Sequence, residues 1–209
     1  MHDDIYTEPD LDTDTLTNLG PLTGMAGIWE GTAGTDVHPV ALDEGGTETD
    51  AYVERYELQP IDPQTNGPQY FYGLRYHVHI TKPGEVETFH DQVGYWLWNP
   101  VEQTVTQTIA IPRGQVALAS AAGVAPDATS FTLHAERGST VYGICSQPFL
   151  EQAFTTVSFR ITVTVDADGT WGYDEDTVMQ IPDRDVPFHH TDVHVLHKVG
   201  EPTPNPLAR

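Results

Sequence analysis

Cysteine is almost absent from this sequence. The chain has a single cysteine, Cys145, among its 209 residues. One thiol cannot form an internal disulfide, and it excludes the zinc sites that need paired thiolates. A cytoplasmic location is the interpretation that fits this cysteine usage best, and we expect Cys145 to be a small buried side chain.

Basic residues are also scarce. Nine lysines and arginines stand against thirty-one acidic residues, which gives a formal net charge of −22. A nucleic-acid interface and contact with an anionic membrane both require a positive patch, so we expect neither nucleic acid nor a membrane as a partner. We interpret the acidity as a contribution to solubility.

Long apolar runs are missing too. The best candidate, residues 116–125, is interrupted by Ser120 and Gly123 and is shorter than the roughly 18 residues that a membrane helix needs. The first residues are acidic where a secretory signal would be basic, so we expect no signal peptide. There is no G-x-S-x-G, phosphate-binding glycine loop or H-E-x-x-H, so hydrolase and nucleotide chemistry have no support.

Strand-forming segments fill most of the chain. Residues 70–80 and 157–165 alternate apolar and polar side chains with a period of two, which is typical of half-buried strands. Short turn sequences such as 82–85 and 166–169 separate the segments, and short links favour antiparallel neighbours. We therefore predict about ten strands, near 27–34, 51–60, 70–81, 88–98, 104–112, 115–121, 129–136, 155–166, 170–181 and 188–199.

A set of about ten antiparallel strands removes its exposed edges most simply by closing. The predicted fold is all-β, a single antiparallel β-barrel of the lipocalin or fatty-acid-binding-protein type with a short N-terminal helix broken at Gly20-Pro21. A second short helix is expected within residues 146–154. We divide the chain into an acidic tail over 1–15, the barrel over 16–200 and a proline-rich tail over 201–209.

Three motifs, in order, resemble the nitrobindin family of heme-binding β-barrels, once described as fatty-acid-binding-protein-like. The first predicted strand has Gly27-x-Trp29-x-Gly31, with Ala33 in place of a further glycine. The segments "FHDQVGYWLW", with His90, and "IPRGQVALASA" resemble the later motifs. The likeness covers roughly residues 20–200. It implies a barrel with a cleft for a small hydrophobic ligand, with these candidate ligand-binding residues: Gly27, Trp29, Gly31, Ala33, His90, His189 and Thr191.

The family's axial heme histidine lies on the final strand, and aligned from "LHKV" this position is Thr191. A threonine hydroxyl is a poor ligand for heme iron. His189 and His190 precede it, and alternation would place His189 on the face of Thr191 and His190 on the opposite face. We expect the Thr191 hydroxyl to face the cavity, so that heme b could bind through iron only if His189 or His190 replaced the missing ligand.

The resemblance therefore implies a non-enzymatic binding protein for a hydrophobic or tetrapyrrole-like molecule, without histidine-ligated iron and without catalytic residues. One alternative is a nitric-oxide-binding heme protein that isomerises peroxynitrite, using His189 or His190. Another is a cupin-like metal protein using His77 and His79, although the spacing to Glu85 departs from the cupin pattern. We expect His77 and His79 to be polar side chains outside the barrel, and we expect no metal site.

Overall fold

The computed structural model describes residues 6–40 and 46–206. These residues form short helices α1 (Thr15–Asn18) and α2 (Pro148–Ala153), a 3-10 helix (Gly20–Met25) and eleven strands. The strands are β1 (Gly27–Pro39), β2 (Thr47–Asn66), β3 (Gln69–Thr81), β4 (Thr88–Asn99), β5 (Thr104–Ile111), β6 (Gln115–Ala122), β7 (Ser130–Arg137), β8 (Gly143–Ser146), β9 (Thr155–Val165), β10 (Trp171–Gln180) and β11 (Phe188–Gly200).

The strands close into one barrel, in the order β1-β11-β10-β9-β7-β8-β6-β5-β4-β3-β2 and back to β1. All pairs are antiparallel except β7 with β8, which is parallel. The prediction of an all-β barrel is confirmed, with one more strand than the ten expected. Because β8 contributes only the four residues "GICS", it offers no alternating pattern that would identify it in the sequence.

The N-terminal helix ends where the sequence predicts. Asp14 caps α1 by accepting the backbone N–H of Thr17, and Gly20, with φ of 55°, starts the 3-10 helix that Pro21 continues. The prediction of a helix broken at Gly20-Pro21 is confirmed, as is that of a short helix, α2, within 146–154. Buried Leu22 from the 3-10 helix joins the barrel core.

Aromatic side chains fill the end of the barrel nearest the 3-10 helix. Trp29 is 2% exposed, its indole N–H donates to the carbonyl of Met25 at 2.8 Å, and its ring meets that of Trp171 edge-on at 6.2 Å. Trp96 and Trp98 are equally buried. These large side chains occupy one end, and the inner cavity lies towards the other end, where β1 finishes and β11 begins.

A bulge in β1 decides which residue of the glycine motif faces inward. Gly31 pairs with Glu54 on β2 and Gly34 pairs with Tyr52, so three steps along β1 match two steps along β2. The extra residue shifts the inward position from residue 33 to Gly34. Ala33 is exposed, and the expectation that it would face a ligand is corrected on this geometry.

The C-terminal segment of the described chain contacts the barrel. Residues 201–206 form no helix or strand, yet the backbone N–H of Thr203 donates to Gln59 Oε1 at 2.6 Å, which holds this segment against β2. The predicted limits of the tails remain predictions.

Within residues 6–40 and 46–206, no helix has the length and apolar character needed to cross a membrane. Cys145 is exposed, so the expectation that it is buried is wrong.

Candidate ligand site inside the barrel

A cavity of about 350 Å³ lies inside the barrel at the end opposite Trp29. Small-molecule sites range over roughly 300–1,000 Å³, so this cavity suits a small ligand. Leu150 of α2 and Phe154 just after it line the cavity, so this segment covers part of its mouth. The apolar lining from the strands comprises Val78, Ile80, Phe89, Ile109, Ile111, Ala117, Ile144, Phe159, Ile161 and Met179.

Three carboxylates form a row across one wall of this cavity. Asp192 on β11 lies directly opposite Asp36 on β1 and directly opposite Glu175 on β10, and all three line the cavity. Side chains directly opposite each other on neighbouring strands are close, and like charges there are destabilising. We call these three residues the carboxylate row.

Two members of the carboxylate row, Glu175 and Asp192, hold their protons unusually tightly. Burial, followed by the charge of nearby Glu54, raises the pKa of Glu175 to about 8. Burial, followed by the charge of Glu175, raises the pKa of Asp192 to about 8. At neutral pH Glu175 and Asp192 therefore keep carboxyl protons that exposed glutamate and aspartate would have lost.

His190 lies beside the carboxylate row and lines the cavity. Its Nε2 is 2.8 Å from Oδ1 of Asp36 and 3.5 Å from Oδ2 of Asp192. Burial lowers the pKa of His190, but the hydrogen bond to Asp36 and the charges of Asp192 and Asp36 outweigh it, so the pKa is raised. When protonated, the imidazole of His190 therefore offsets part of the negative charge of the carboxylate row.

A second set of buried polar side chains lies deeper in the barrel than the carboxylate row. Nδ1 of His194 is 2.7 Å from Oε2 of Glu54, and the same oxygen accepts the hydroxyl of Tyr173 at 2.9 Å. The Tyr173 hydroxyl is also 2.9 Å from that of Tyr52. Oε1 of Glu54 and Nε2 of His194 have no hydrogen-bond partner among the described residues.

Gly31 of the family motif makes room for this group. A Cβ atom added at residue 31 would overlap Nε2 of His194, so only glycine lets the imidazole lie against β1. The sequence analysis did not identify His194 as a candidate site residue. The signal was available, because His194 has the same parity on the strand as the apolar Leu196, which is fully buried.

The orientation expected for β11 is reversed in the structure. Thr191 pairs with Val37 and Asp176 on the outward-facing side, and it is not among the residues that line the cavity. His189 also points outward, with its side chain 62% exposed and its Nδ1 2.9 Å from Asp176. The reason is alternation from buried Leu196, which turns His190 inward.

The remaining motif residues divide between the two ends of the barrel. His90 lines the cavity, and burial lowers its pKa. Arg113 lines the same cavity and supplies a guanidinium near its mouth. Gly27 and Trp29 lie at the filled end and do not line the cavity.

His77 and His79 face outward, as predicted. Nε2 of His77 is 2.9 Å from Asp91, and Nε2 of His79 is 2.9 Å from the hydroxyl of Thr88. Neither histidine belongs to a group of three or more potential metal ligands in the described part of the chain. With Glu85 in an exposed turn, the ligand set of a cupin is not assembled there.

A larger groove of about 1020 Å³ lies on the outside of the barrel. It runs along the outer faces of β2 to β6 and is bordered by β8 and the loop before it. Exposed Val93, Tyr95 and Val116 contribute to it. We consider the smaller inner cavity the better candidate site, because it is more enclosed and several buried polar groups converge on it.

The fold and the inner cavity together define a class, that of closed β-barrels with an internal ligand site. A family model described as "THAP4-like, heme-binding beta-barrel domain" matches residues 18–198. The chain belongs to this family, and the resemblance to nitrobindins is confirmed. Among curated proteins, the comparison gave no match.

His190, the closing-strand histidine that lines the cavity, does not present a free Nε2 to a heme iron. Iron needs a free imidazole nitrogen, conventionally Nε2 with Nδ1 held by a hydrogen bond. In His190 it is Nε2 that is bonded to Asp36. A macrocycle beside His190 would also meet the carboxylate row, which opposes its anionic propionates.

Proposed function

We propose that this protein binds a small, mainly apolar molecule in the barrel cavity and holds it without a bond between imidazole and iron. The observation that carries this proposal is the hydrogen bond, 2.8 Å long, between Nε2 of His190 and Oδ1 of Asp36. It occupies the nitrogen that would otherwise be offered to a metal at the centre of a macrocycle. The protein then acts as a binding protein and not as an enzyme.

The lining of the cavity supports a ligand with two parts. Aliphatic and aromatic side chains such as Ile80, Phe89 and Met179 line one part of the cavity, and they favour an apolar body. The opposite wall carries the carboxylate row, which favours hydrogen-bond donors or a positive charge. The proposed ligand is therefore a neutral or cationic amphiphile and not a fatty acid or other anion.

Titration with ferric heme tests the absence of iron ligation. The proposal predicts no sharp Soret band whose position changes on adding cyanide, and the same weak spectrum from wild type, His190→Ala and His189→Ala. His189 is the matched control because it is the adjacent histidine, pairs with Asp176 and faces outward. A sharp, cyanide-sensitive band that disappears only in His190→Ala would overturn the proposal.

One observation favours a second candidate, a heme protein that binds nitric oxide or isomerises peroxynitrite. His190 does line the cavity, so rotation of its ring away from Asp36 would direct a nitrogen towards a bound macrocycle. In that case Asp36→Asn, which weakens the competing hydrogen bond, should strengthen heme binding. His189 plays no part in this candidate because it faces outward.

A further inference from the structure

Asp36, His190 and Asp192 line the cavity and place nitrogen and oxygen donor atoms close to one another. Nε2 of His190 is 2.8 Å from Oδ1 of Asp36 and 3.5 Å from Oδ2 of Asp192. One donor atom from each residue lies within 4.8 Å of the other two. Donors that share one transition-metal ion, at bond lengths of about 2.1 Å, stand roughly 3.0–3.4 Å apart.

Further buried carboxyl groups adjoin these three side chains. Glu175 continues the carboxylate row beside Asp192, and Glu54 lines the same cavity with its side chain 1% exposed. Oε1 of Glu54 accepts no hydrogen bond within residues 6–40 and 46–206. A buried carboxylate oxygen without a partner is costly, and a cation in the cavity would reduce this cost.

We propose that Asp36, His190 and Asp192 form a binding site for a divalent transition-metal ion, whose remaining coordination positions face the cavity. Two carboxylates and one imidazole form a mixed oxygen and nitrogen set, which suits zinc, iron(II), manganese(II) or cobalt(II) better than calcium or magnesium. The ion replaces the proton that His190 now shares with Asp36 and the proton that Asp192 keeps at neutral pH, and both are released to solvent, since a metal ligand must be deprotonated.

An alkylammonium group fits the measured spacings less well than a metal ion. Acceptors around a tetrahedral nitrogen, each at about 2.8 Å, lie about 4.6 Å apart. The two spacings at His190, 2.8 and 3.5 Å, are shorter. Both lie nearer to the roughly 3.0–3.4 Å expected of donors around one transition-metal ion.

Binding of zinc(II) and cobalt(II) to the full-length, tag-free protein tests the site after treatment with a chelator. Calorimetry with zinc should give about one ion per chain, and cobalt should give visible absorption from a low-symmetry site. His190→Gln should weaken binding by at least roughly tenfold. His189→Gln should bind as wild type does, because that histidine pairs with Asp176 outside the barrel. Absence of stoichiometric binding to wild type, or loss of it only in His189→Gln, overturns the proposal.

A second variant keeps the test valid if His190→Gln folds poorly. Asp192→Asn removes one ligand together with repulsion inside the carboxylate row, so its metal-free melting temperature should equal or exceed that of wild type. Zinc should raise the melting temperature of wild type and leave that of Asp192→Asn unchanged. An equal zinc-induced rise in both proteins contradicts the proposal. The metal site shares the carboxylate row with the proposed organic ligand, but zinc binding and binding of an organic probe are measured separately, so failure of the metal site leaves that proposal standing.

Discussion

Nδ1 of His194 lies 2.7 Å from Oε2 of Glu54, and each of these side chains is only 1% exposed. The pair joins β11 to β2 across β1, where Gly31 leaves space for the imidazole. The hydroxyl of Tyr173, on β10, donates to the same carboxylate oxygen. Buried polar networks of this kind stabilise a single arrangement only when their members keep their partners.

Glu54 should therefore be important for stability. Glu54→Ala leaves the buried donors of His194 and Tyr173 without their acceptor, and we expect a loss of about 3–5 kcal/mol in the free energy of unfolding. Urea denaturation followed by tryptophan fluorescence measures it. Glu57→Ala is the matched control on the same strand, because Glu57 faces outward and pairs with half-exposed Arg55. It should cost no more than about 1 kcal/mol, and equal losses in both variants would contradict this account.

Stability should fall as pH rises from 6.5 to 8. Aspartate and glutamate in unfolded chains titrate near pH 4, whereas Asp192 and Glu175 in the folded barrel have pKa values of about 8. The folded state therefore binds more protons between these values, and stability decreases by up to about 1.4 kcal/mol per pH unit for each such proton. His190, whose raised pKa acts in the same direction, faces the pair together with Asp36 and Glu54. Thermal melts across this range measure the effect.

Asp192→Asn should flatten this dependence on pH. The substitution removes one titrating carboxyl and the charge that acts on Glu175, so less stability remains to be lost as pH rises. Asp174→Asn is the control, because Asp174 lies on β10 facing outward and pairs with Arg160. An unchanged slope in Asp192→Asn, or an equal change in the control, is inconsistent with the carboxylate row as its source.

The bulge in β1 predicts that a larger side chain is tolerated at residue 33 but not at residue 34. A Cβ atom at residue 34 would overlap the ring of Tyr52, so Gly34→Ala should destabilise the barrel by about 1–3 kcal/mol. Ala33 is exposed, and Ala33→Ser should leave stability within about 0.5 kcal/mol of wild type. Chemical denaturation of both variants checks the register, and the reverse order of effects would place residue 33 inside.

The charge of a probe molecule should decide how well it enters the cavity. The carboxylate row favours a neutral apolar fluorophore such as N-phenyl-1-naphthylamine over the anionic 8-anilinonaphthalene-1-sulfonate, which resembles it in size. We expect the neutral probe to bind at least tenfold more tightly at pH 8. Tighter binding of the anion would indicate that the acidic wall does not contact the ligand.

Much of the fold could be predicted from the sequence, because period-two alternation is strong in long strands such as β3 and β9. The short strand β8 could not, since its four residues have no alternation and its position depends on pairing with β6 and β7. The orientation of β11 was predicted in reverse because the alignment from "LHKV" took precedence over the parity set by Leu196. A correct count from that buried leucine directs His190, Asp192 and His194 inward.

The site was less accessible to sequence reasoning than the fold. Asp36, Asp192 and Glu175 are far apart in the chain and meet only because β1, β11 and β10 are neighbours in a particular register. The bulge that turns Gly34 inward depends equally on pairing with β2. Neither register follows from local propensity, because both are set by contacts that the closed barrel imposes.

Saturable binding of N-phenyl-1-naphthylamine to a cavity-filling variant tests the central claim most directly. Thr177 faces the cavity beside His190, and the neighbouring Val178 faces outward opposite His189. The account predicts that wild type and Val178→Trp bind one probe molecule per chain, and that Thr177→Trp, which fills the cavity, does not. Equal binding by Thr177→Trp, or no saturable binding by wild type, would show that the inner cavity is not the ligand site.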